Sequence, residues 1–296
     1  MKKIKKSIPA DVPKKSHEQY LSNYNKITHS TGNLFLFAAD HKLEHLNDDF
    51  VGPTLDPAIN NPEHLFKIAQ NCPIGAMATQ LGLISQYGQD YPGINYIAKI
   101  TGKTNLVTIS QAEPNNAELN KVNEVIDVSK ESGLNICGIG LTVYIGSEYE
   151  GEMLKFAAKE IHAAHQHGLL AILWVYPRGK AVKNPIDPHL LAGAVGVATA
   201  LGADFVKIQP PKTQPNLARA ELLKEAMGAA GKTGIICAGG DFTDEKELLR
   251  NIYEDINTAG ISGCAIGRNL FQRSLSDAHE LAQKIAEIVY GTNKNR

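Results

Sequence analysis

A lysine at position 207 stands between Val206 and Ile208 in the run "GADFVKIQPP", where an apolar β-strand is expected and a charge is costly. Apolar surroundings lower a lysine's preference for the charged form, and neighbouring cations such as Lys99 or Arg178 would lower it further. A neutral amine attacks carbonyl carbon and forms a Schiff base, which draws electrons from an adjacent carbon–carbon bond. Such chemistry needs groups that move protons. In "WVYPRG", Trp174 and Tyr176 are two residues apart and share one face of a strand, with Arg178 two further on. "NLFLFAAD" ends in Asp40, followed by His41. Tyr176 is the candidate for the proton of bond cleavage and Asp40 for carbinolamine formation and dehydration. The structural alternative for Lys207 is an ion pair with Asp40 or Glu152.

Two glycine-rich turns add an anion site. "CAGGDF" carries Gly239 and Gly240, and "AIGRNLF" carries Gly267 and Arg268 ahead of the last helix. Glycines let backbone N–H groups approach an anion, and a phosphate is expected there. The alternative is that these glycines only make tight turns.

The elements that must position these residues follow from hydrophobic patterning. Eight short apolar runs ("NLFLFAAD", "IGAMAT", "INYIAKI", "NICGIGLT", "LLAILWVY", "ADFVKI", "TGIICAG" and "SGCAIG") alternate with amphipathic stretches. The helical stretches include "NAELNKVNEVIDVSKESG", "EGEMLKFAAKEIHAAHQHG", "NLARAELLKEAMGAAG", "TDEKELLRNIYEDINTAG" with Thr243 as N-cap, and a final helix from near Asn269 to Tyr290. Near-continuous apolar strands alternating with helices predict parallel strands covered by helices. Eight of them predict a closed (β/α)₈ barrel, with the active groups at the C-terminal strand ends and a phosphate after strands seven and eight. The barrel is expected over residues 33–296 as one domain, with residues 1–32 as a preceding arm. The lysine-rich start "MKKIKKSIPADVPKKS" lacks the apolar run of a signal peptide and reads as a solvated tail.

Other readings are weak. The net charge of −1 gives no field favouring nucleic acid or an anionic membrane, and no apolar stretch is long enough to span a bilayer. Four scattered cysteines read as small buried residues of a reducing cytoplasm. "AGKTG" and "TGKTN" lack the glycine of a P-loop, having Ala226 and Ile97 in its place, and "GIGLTV" lacks the third glycine of a dinucleotide fingerprint. His162, His165 and His167 crowd a helix end that should face solvent. No cofactor and no metal is expected.

Taken together, "AADH", "WVYPRG", "GADFVKI", "AGG" and "IGRNLFQR" resemble the archaeal-type (DhnA-like) class I fructose-bisphosphate aldolases over nearly everything after residue 33. The resemblance implies that Lys207 forms the Schiff base, Tyr176 gives and takes protons, and Asp40 is the strand-one acid. Trp174 would line the pocket, Arg178 would sit near the second phosphate end, and Gly239, Gly240, Gly267 and Arg268 would bind a phosphate. His41 and Lys99 are further candidates for contact with a phosphorylated sugar. The resemblance also implies metal-free chemistry and a high-order homo-oligomer, often a decamer. Lys42 stands where the family commonly has glycine, and could meet a phosphate or Glu44. Pro210 and Pro211 stiffen the loop after Lys207. Related barrels, among them aminodideoxyheptulosonate synthase and a thiolase, leave other transfers open, as does a non-catalytic phosphosugar-binding barrel.

Overall fold

The computed structural model describes residues 6–45, 47–106, 113–214 and 217–291. Eight parallel strands close into a barrel. They are β1 (Leu34–Ala38), β2 (Ala76–Gln80), β3 (Tyr96–Lys99), β4 (Ile136–Ile145), β5 (Leu170–Pro177), β6 (Phe205–Ile208), β7 (Gly234–Ala238) and β8 (Gly263–Ile266). Each coincides with one of the eight apolar runs. Neighbours follow chain order, and β1 closes the ring on β8 with Leu36 opposite Ala265.

Alternation along the strands splits the apolar residues into two sets. Leu34, Leu36, Ala78, Ile97, Leu170, Ile172, Phe205 and Ile236 fill the barrel interior. Phe35, Phe37, Met77, Leu141, Leu173, Val206, Ile208 and Ile266 pack outward under the helices. The same parity governs the polar residues: Lys99 follows Ile97, Trp174 and Tyr176 follow Ile172, and Lys207 follows Phe205. Their side chains therefore point into the barrel. The four cysteines are free and buried. Among the described residues, no helix is long and apolar enough to cross a membrane.

Several expectations need correction. The lysine-rich start is not a wholly solvated tail where it is described, since Val12 and Ser16 are buried; residues 1–5, with three of its six lysines, lie outside the described residues. Helix His17–Ile27 lies across the N-terminal strand ends, with Tyr20, Tyr24 and Ile27 buried in the interior cluster. Asn23 donates to the Gly168 carbonyl at 2.8 Å, and Tyr24 stacks on Phe205. The first part of the stretch from Asn116 is not helical. Ala117–Glu118 pairs antiparallel with Thr101–Gly102, and the helix begins at Val122. The expected helix from Asn216, itself outside the described residues, is two short ones, Arg219–Leu222 and Lys224–Ala230. The last helix is likewise broken into Arg268–Phe271 and Leu275–Gly291. Asp244, not Thr243, caps its helix, accepting from the Lys246 and Glu247 amides.

His165 does not face solvent either: it is fully buried. Its Nδ1 lies 2.8 Å from Asp11 and its Nε2 3.2 Å from Asp204. Tyr20 and the Ala171 amide also donate to Asp204. A carboxylate at each ring nitrogen requires both to carry protons, so the ring is an imidazolium. Burial pushes its pKa down, but Asp204 and Asp11 outweigh burial and raise it. A raised folded value makes this stabilisation complete below about pH 6.5, the unfolded value, and lost as pH rises through the folded one. His165→Leu should cost roughly 3 kcal/mol, the usual cost of unpairing a buried charge. It should also flatten the fall of Tm with pH above about 6.5. Thermal unfolding from acid to alkaline buffer checks both, and an unchanged slope would refute the imidazolium.

Candidate active site

The inward parity of the strands brings the candidate residues to one cavity of about 690 Å³ at the C-terminal mouth of the barrel. Asp40, His41, Trp174, Tyr176, Arg178, Lys207, Gly239, Gly240, Gly267 and Arg268 all line it. Lys99 does not.

Lys207 lies opposite Trp174 across the β5–β6 ladder and opposite Ile236 on β7. It is 6% exposed, and its Nζ sits 5.2 Å from the centre of the Trp174 ring. No ion pair or hydrogen bond ties its amine among the described residues, so the structural alternative of pairing with Asp40 or Glu152 is not realised. Burial pushes the amine's pKa down, Asp40 and Glu44 offset part of this, and Arg268 adds to the lowering. The lowering cations expected from the sequence were Lys99 and Arg178; Arg268 takes that part.

Lys99 is fully buried beneath the cavity. Its Nζ lies 3.3 Å from Asp40 Oδ2, 2.9 Å from Glu44 Oε1 and 2.8 Å from the Thr142 hydroxyl, over the Trp174 ring at 4.3 Å. Burial opposes its charge, yet Glu44 and Asp40 outweigh burial and raise its pKa. It is thus a fixed ammonium that orients acids, not a contact for substrate. Burial would push the Asp40 carboxyl up, but the Lys99 and Lys207 amines hold it well below the usual range. Asp40 is therefore ionised. Gln80 donates to its carbonyl at 3.2 Å.

Burial and the Asp40 carboxylate raise the Tyr176 phenol, opposed by Lys99. The free site therefore holds a neutral phenol. Arg178 is exposed, with its guanidinium 5.1 Å from the Tyr176 ring. The Trp174 indole N–H is buried without a hydrogen-bond partner among the described residues.

The glycine turns form the opposite wall. Gly240 has φ +71°, a conformation that disfavours a side chain. A Cβ on Gly267 would come within 2.4 Å of the His41 ring and 2.9 Å of the Ala38 carbonyl. Asn269 clamps the turn by donating to the Asp241 carbonyl at 2.9 Å and the Gly239 carbonyl at 3.3 Å. Arg268 rests on Asp241 at 2.6 Å, with a remoter contact to Asp49 at 3.9 Å. The Asp241 side chain is solvent-exposed, so this ion pair is a weak one.

Burial pushes the His41 imidazole down to about 3, leaving it neutral. His41, His45 and Asp49 offer ligand atoms within 4.8 Å of one another, a spacing that could hold a metal ion. His45 and Asp49 are already paired at 2.9 Å. Lys42 turns away from the mouth, donating to Asn60 at 2.9 Å with its Nζ over Phe50. It reaches neither Glu44 nor the glycine turns. The sequence reading missed Glu44 as a site residue, although its position four after Asp40 marks one helical face. Pro210 and Pro211 line the cavity rim.

An inward amine at the end of β6, a phenol on β5 and an acid after β1 equip a barrel to make and break carbon–carbon bonds through an iminium. Residues 34–273 match the model for the DeoC/LacD family aldolases, and the chain belongs to that family. It is 48% identical over 291 residues to the fructose-bisphosphate aldolase/6-deoxy-5-ketofructose 1-phosphate synthase of Methanocaldococcus jannaschii, covering 97% of this chain and 92% of that one. Identity to the class 1 fructose-bisphosphate aldolase of Halobacterium salinarum is 34%, over 82% of this chain and 85% of the relative. The solved fructose-bisphosphate aldolase of Slackia heliotrinireducens superposes with a TM-score of 0.95 at 44% identity, covering 99% of this chain and 92% of that one. A Schiff-base-forming fructose-1,6-bisphosphate aldolase, solved in a structural study of reaction intermediates, superposes with a TM-score of 0.77 at 29% identity, covering 92% of this chain and 100% of that one.

The Lys99 arrangement gives a test of its own. Lys99→Met leaves Asp40 and Glu44 without their shared cation and should destabilise the fold by roughly 3–5 kcal/mol. Asp40 has a depressed pKa, so its contribution is present above about pH 4, its unfolded value, and is lost as pH falls through the folded one. The deficit in urea unfolding should therefore be large near neutrality and shrink in acid.

Proposed function

We propose that this protein is a Schiff-base-forming class I aldolase that reversibly cleaves fructose 1,6-bisphosphate into dihydroxyacetone phosphate and glyceraldehyde 3-phosphate. The observation that carries this reading is Lys207: a buried, unpaired amine opening on a cavity that also holds Tyr176, Asp40 and a glycine-framed anion turn.

The sugar's C1 phosphate fits the turns at Gly239–Gly240 and Gly267–Arg268, and the far phosphate falls towards exposed Arg178. This places the C2 carbonyl at Lys207. The amine attacks C2, and ionised Asp40 takes the proton from the attacking nitrogen and returns it to the C2 oxygen, giving the neutral carbinolamine. Loss of water gives the iminium. Tyr176 then accepts the C4 hydroxyl proton, the C3–C4 bond breaks, and its electrons enter the iminium to form an enamine. The same phenol next protonates C3. In the empty site Tyr176 is a neutral phenol; the cationic iminium beside it favours the phenolate this step needs, its proton passing to ionised Asp40 and returning once C3 has been protonated. Hydrolysis of the second iminium releases dihydroxyacetone phosphate and restores the amine.

A second reading draws on the name of the Methanocaldococcus jannaschii relative. The enamine on Lys207 can attack an aldehyde other than glyceraldehyde 3-phosphate, and such a transfer needs no further residue. Product analysis with fructose 1,6-bisphosphate and an unphosphorylated aldehyde, against cleavage alone, separates the two readings. A cytoplasmic homo-oligomer acting in sugar breakdown and synthesis completes the proposal; free buried cysteines suit a reducing compartment.

Borohydride added with fructose 1,6-bisphosphate should leave a reduced adduct on Lys207 by peptide mass spectrometry, and Lys207→Ala should abolish it. Labelling elsewhere, or none, would end the Schiff-base reading. Tyr176→Phe should still form the adduct while kcat falls by about 10²–10⁴, the usual worth of a positioned proton donor.

A further inference from the structure

After β1 the chain sets three metal-ligand side chains on successive turns. His41 opens the helical turn His41–Glu44, His45 follows its end, and Asp49 completes the turn Asn47–Asp49. Residues four apart share one face, the spacing by which two histidines of a zinc-binding helix reach one ion. One ligand atom from each of the three lies within 4.8 Å of the other two. Ligands around a single zinc ion stand about 3.3 Å apart, so side-chain movements of about 1.5 Å at most would close the set.

Two of the polar atoms in this group, His41 Nδ1 and Asp49 Oδ2, are buried without a hydrogen bond among the described residues. The His41 side chain is only 9% exposed, and its nearest acid oxygen, on Asp40, stands 3.5 Å from Nδ1. His45 Nδ1 approaches Asp49 Oδ2 to 2.9 Å, yet no well-directed hydrogen bond reaches that oxygen. A shared cation would satisfy both atoms. The frame around them is stiff, as a metal site requires. The His45 amide donates to the His41 carbonyl at 2.9 Å, and Gln272 donates to the Asp49 carbonyl at 2.8 Å. Phe271 braces both ends: it stacks on Phe50, next to Asp49, and meets the His41 ring edge-on at 5.1 Å.

We propose that His41, His45 and Asp49 bind a divalent transition-metal ion of the zinc class beside the anion turn at Gly267–Arg268. Two imidazoles and one carboxylate are the donors of an open zinc site, which keeps a further position for water or an incoming ligand. Magnesium and calcium ask for oxygen donors instead. His41 and His45 line the cavity, the His41 ring takes the space a Cβ on Gly267 would need, and Arg268 Nη1 lies 3.9 Å from Asp49 Oδ1. A divalent ion on one carboxylate leaves a net positive charge there, so metal and phosphate should each strengthen the other's binding. Lys207 is no part of this set, and the inference stands apart from the Schiff-base reading.

The test uses the full chain without an affinity tag, stripped with chelator. Zn²⁺ alone is titrated by calorimetry, and Co²⁺ alone by visible absorption. One ion should bind per chain. His45→Ala and Asp49→Asn should each weaken binding by more than about 10²-fold, beyond the usual effect of residues that only support a ligand. His162→Ala, at an exposed histidine, should leave it unchanged. Inorganic phosphate should tighten Co²⁺ binding by about fivefold or more. No binding by the wild-type chain overturns the proposal. So does binding that His45→Ala and Asp49→Asn retain in full, which marks an adventitious ion only. Should either variant fold poorly, zinc-edge X-ray absorption of the wild-type chain decides: two coordinated imidazoles support the site, and fewer overturn it. A Co²⁺ affinity that phosphate leaves unmoved overturns the placement beside the anion turn. Borohydride labelling of Lys207 is read separately, so its failure would refute the Schiff-base reading and leave the metal site standing.

Discussion

A buried ammonium holds the mouth of this barrel in order. Lys99 has no exposed surface, and its charge survives only because Asp40, Glu44 and Thr142 surround it. Taking a charge out of water is expensive unless partners meet it in fixed geometry. That expense makes the arrangement rigid: neither carboxylate can swing away without stranding the cation. The site therefore contains two lysines in different surroundings. Lys99 is kept charged by carboxylates, while Lys207, on a neighbouring part of the same interior, has no ion pair among the described residues and lies beside Trp174. The tryptophan faces both amines, at 4.3 Å and 5.2 Å.

This division shows what was legible in the sequence. The eight strands were, because a strand buried on both faces writes itself as a continuous apolar run. Period-two alternation then placed Lys207, Tyr176 and Trp174 inward without any knowledge of partners. Lys99 was visible as an inward lysine, but its role was not. The sequence shows that a residue is charged and inward, not whether another chain segment has already claimed the charge. Glu44 and Lys99 are far apart in the chain, and only barrel closure brings them to 2.9 Å.

The same limit explains the misreadings at the barrel's other end. Tyr20, Tyr24 and Ile27 have the spacing of a helix face, yet the lysine-rich start draws the eye to solvent. His165 looked like part of a wet helix end because its partners, Asp11 and Asp204, lie 154 and 39 positions away. Local composition foretells local structure well. Long-range ion pairs leave no mark on it.

Helix His17–Ile27 also carries a consequence for how the chain is made. Tyr20 is joined to Asp204 across 184 positions, so the helix leaves the ribosome long before its seat exists. It cannot dock until β5 and β6 have been synthesised and have paired, and until then its apolar face has no partner in the native structure. The contacts of greatest sequence separation are the ones that close slowly. The first helix to be synthesised is thus fixed late, and its seating on Asp204 records that β5 and β6 above it have paired.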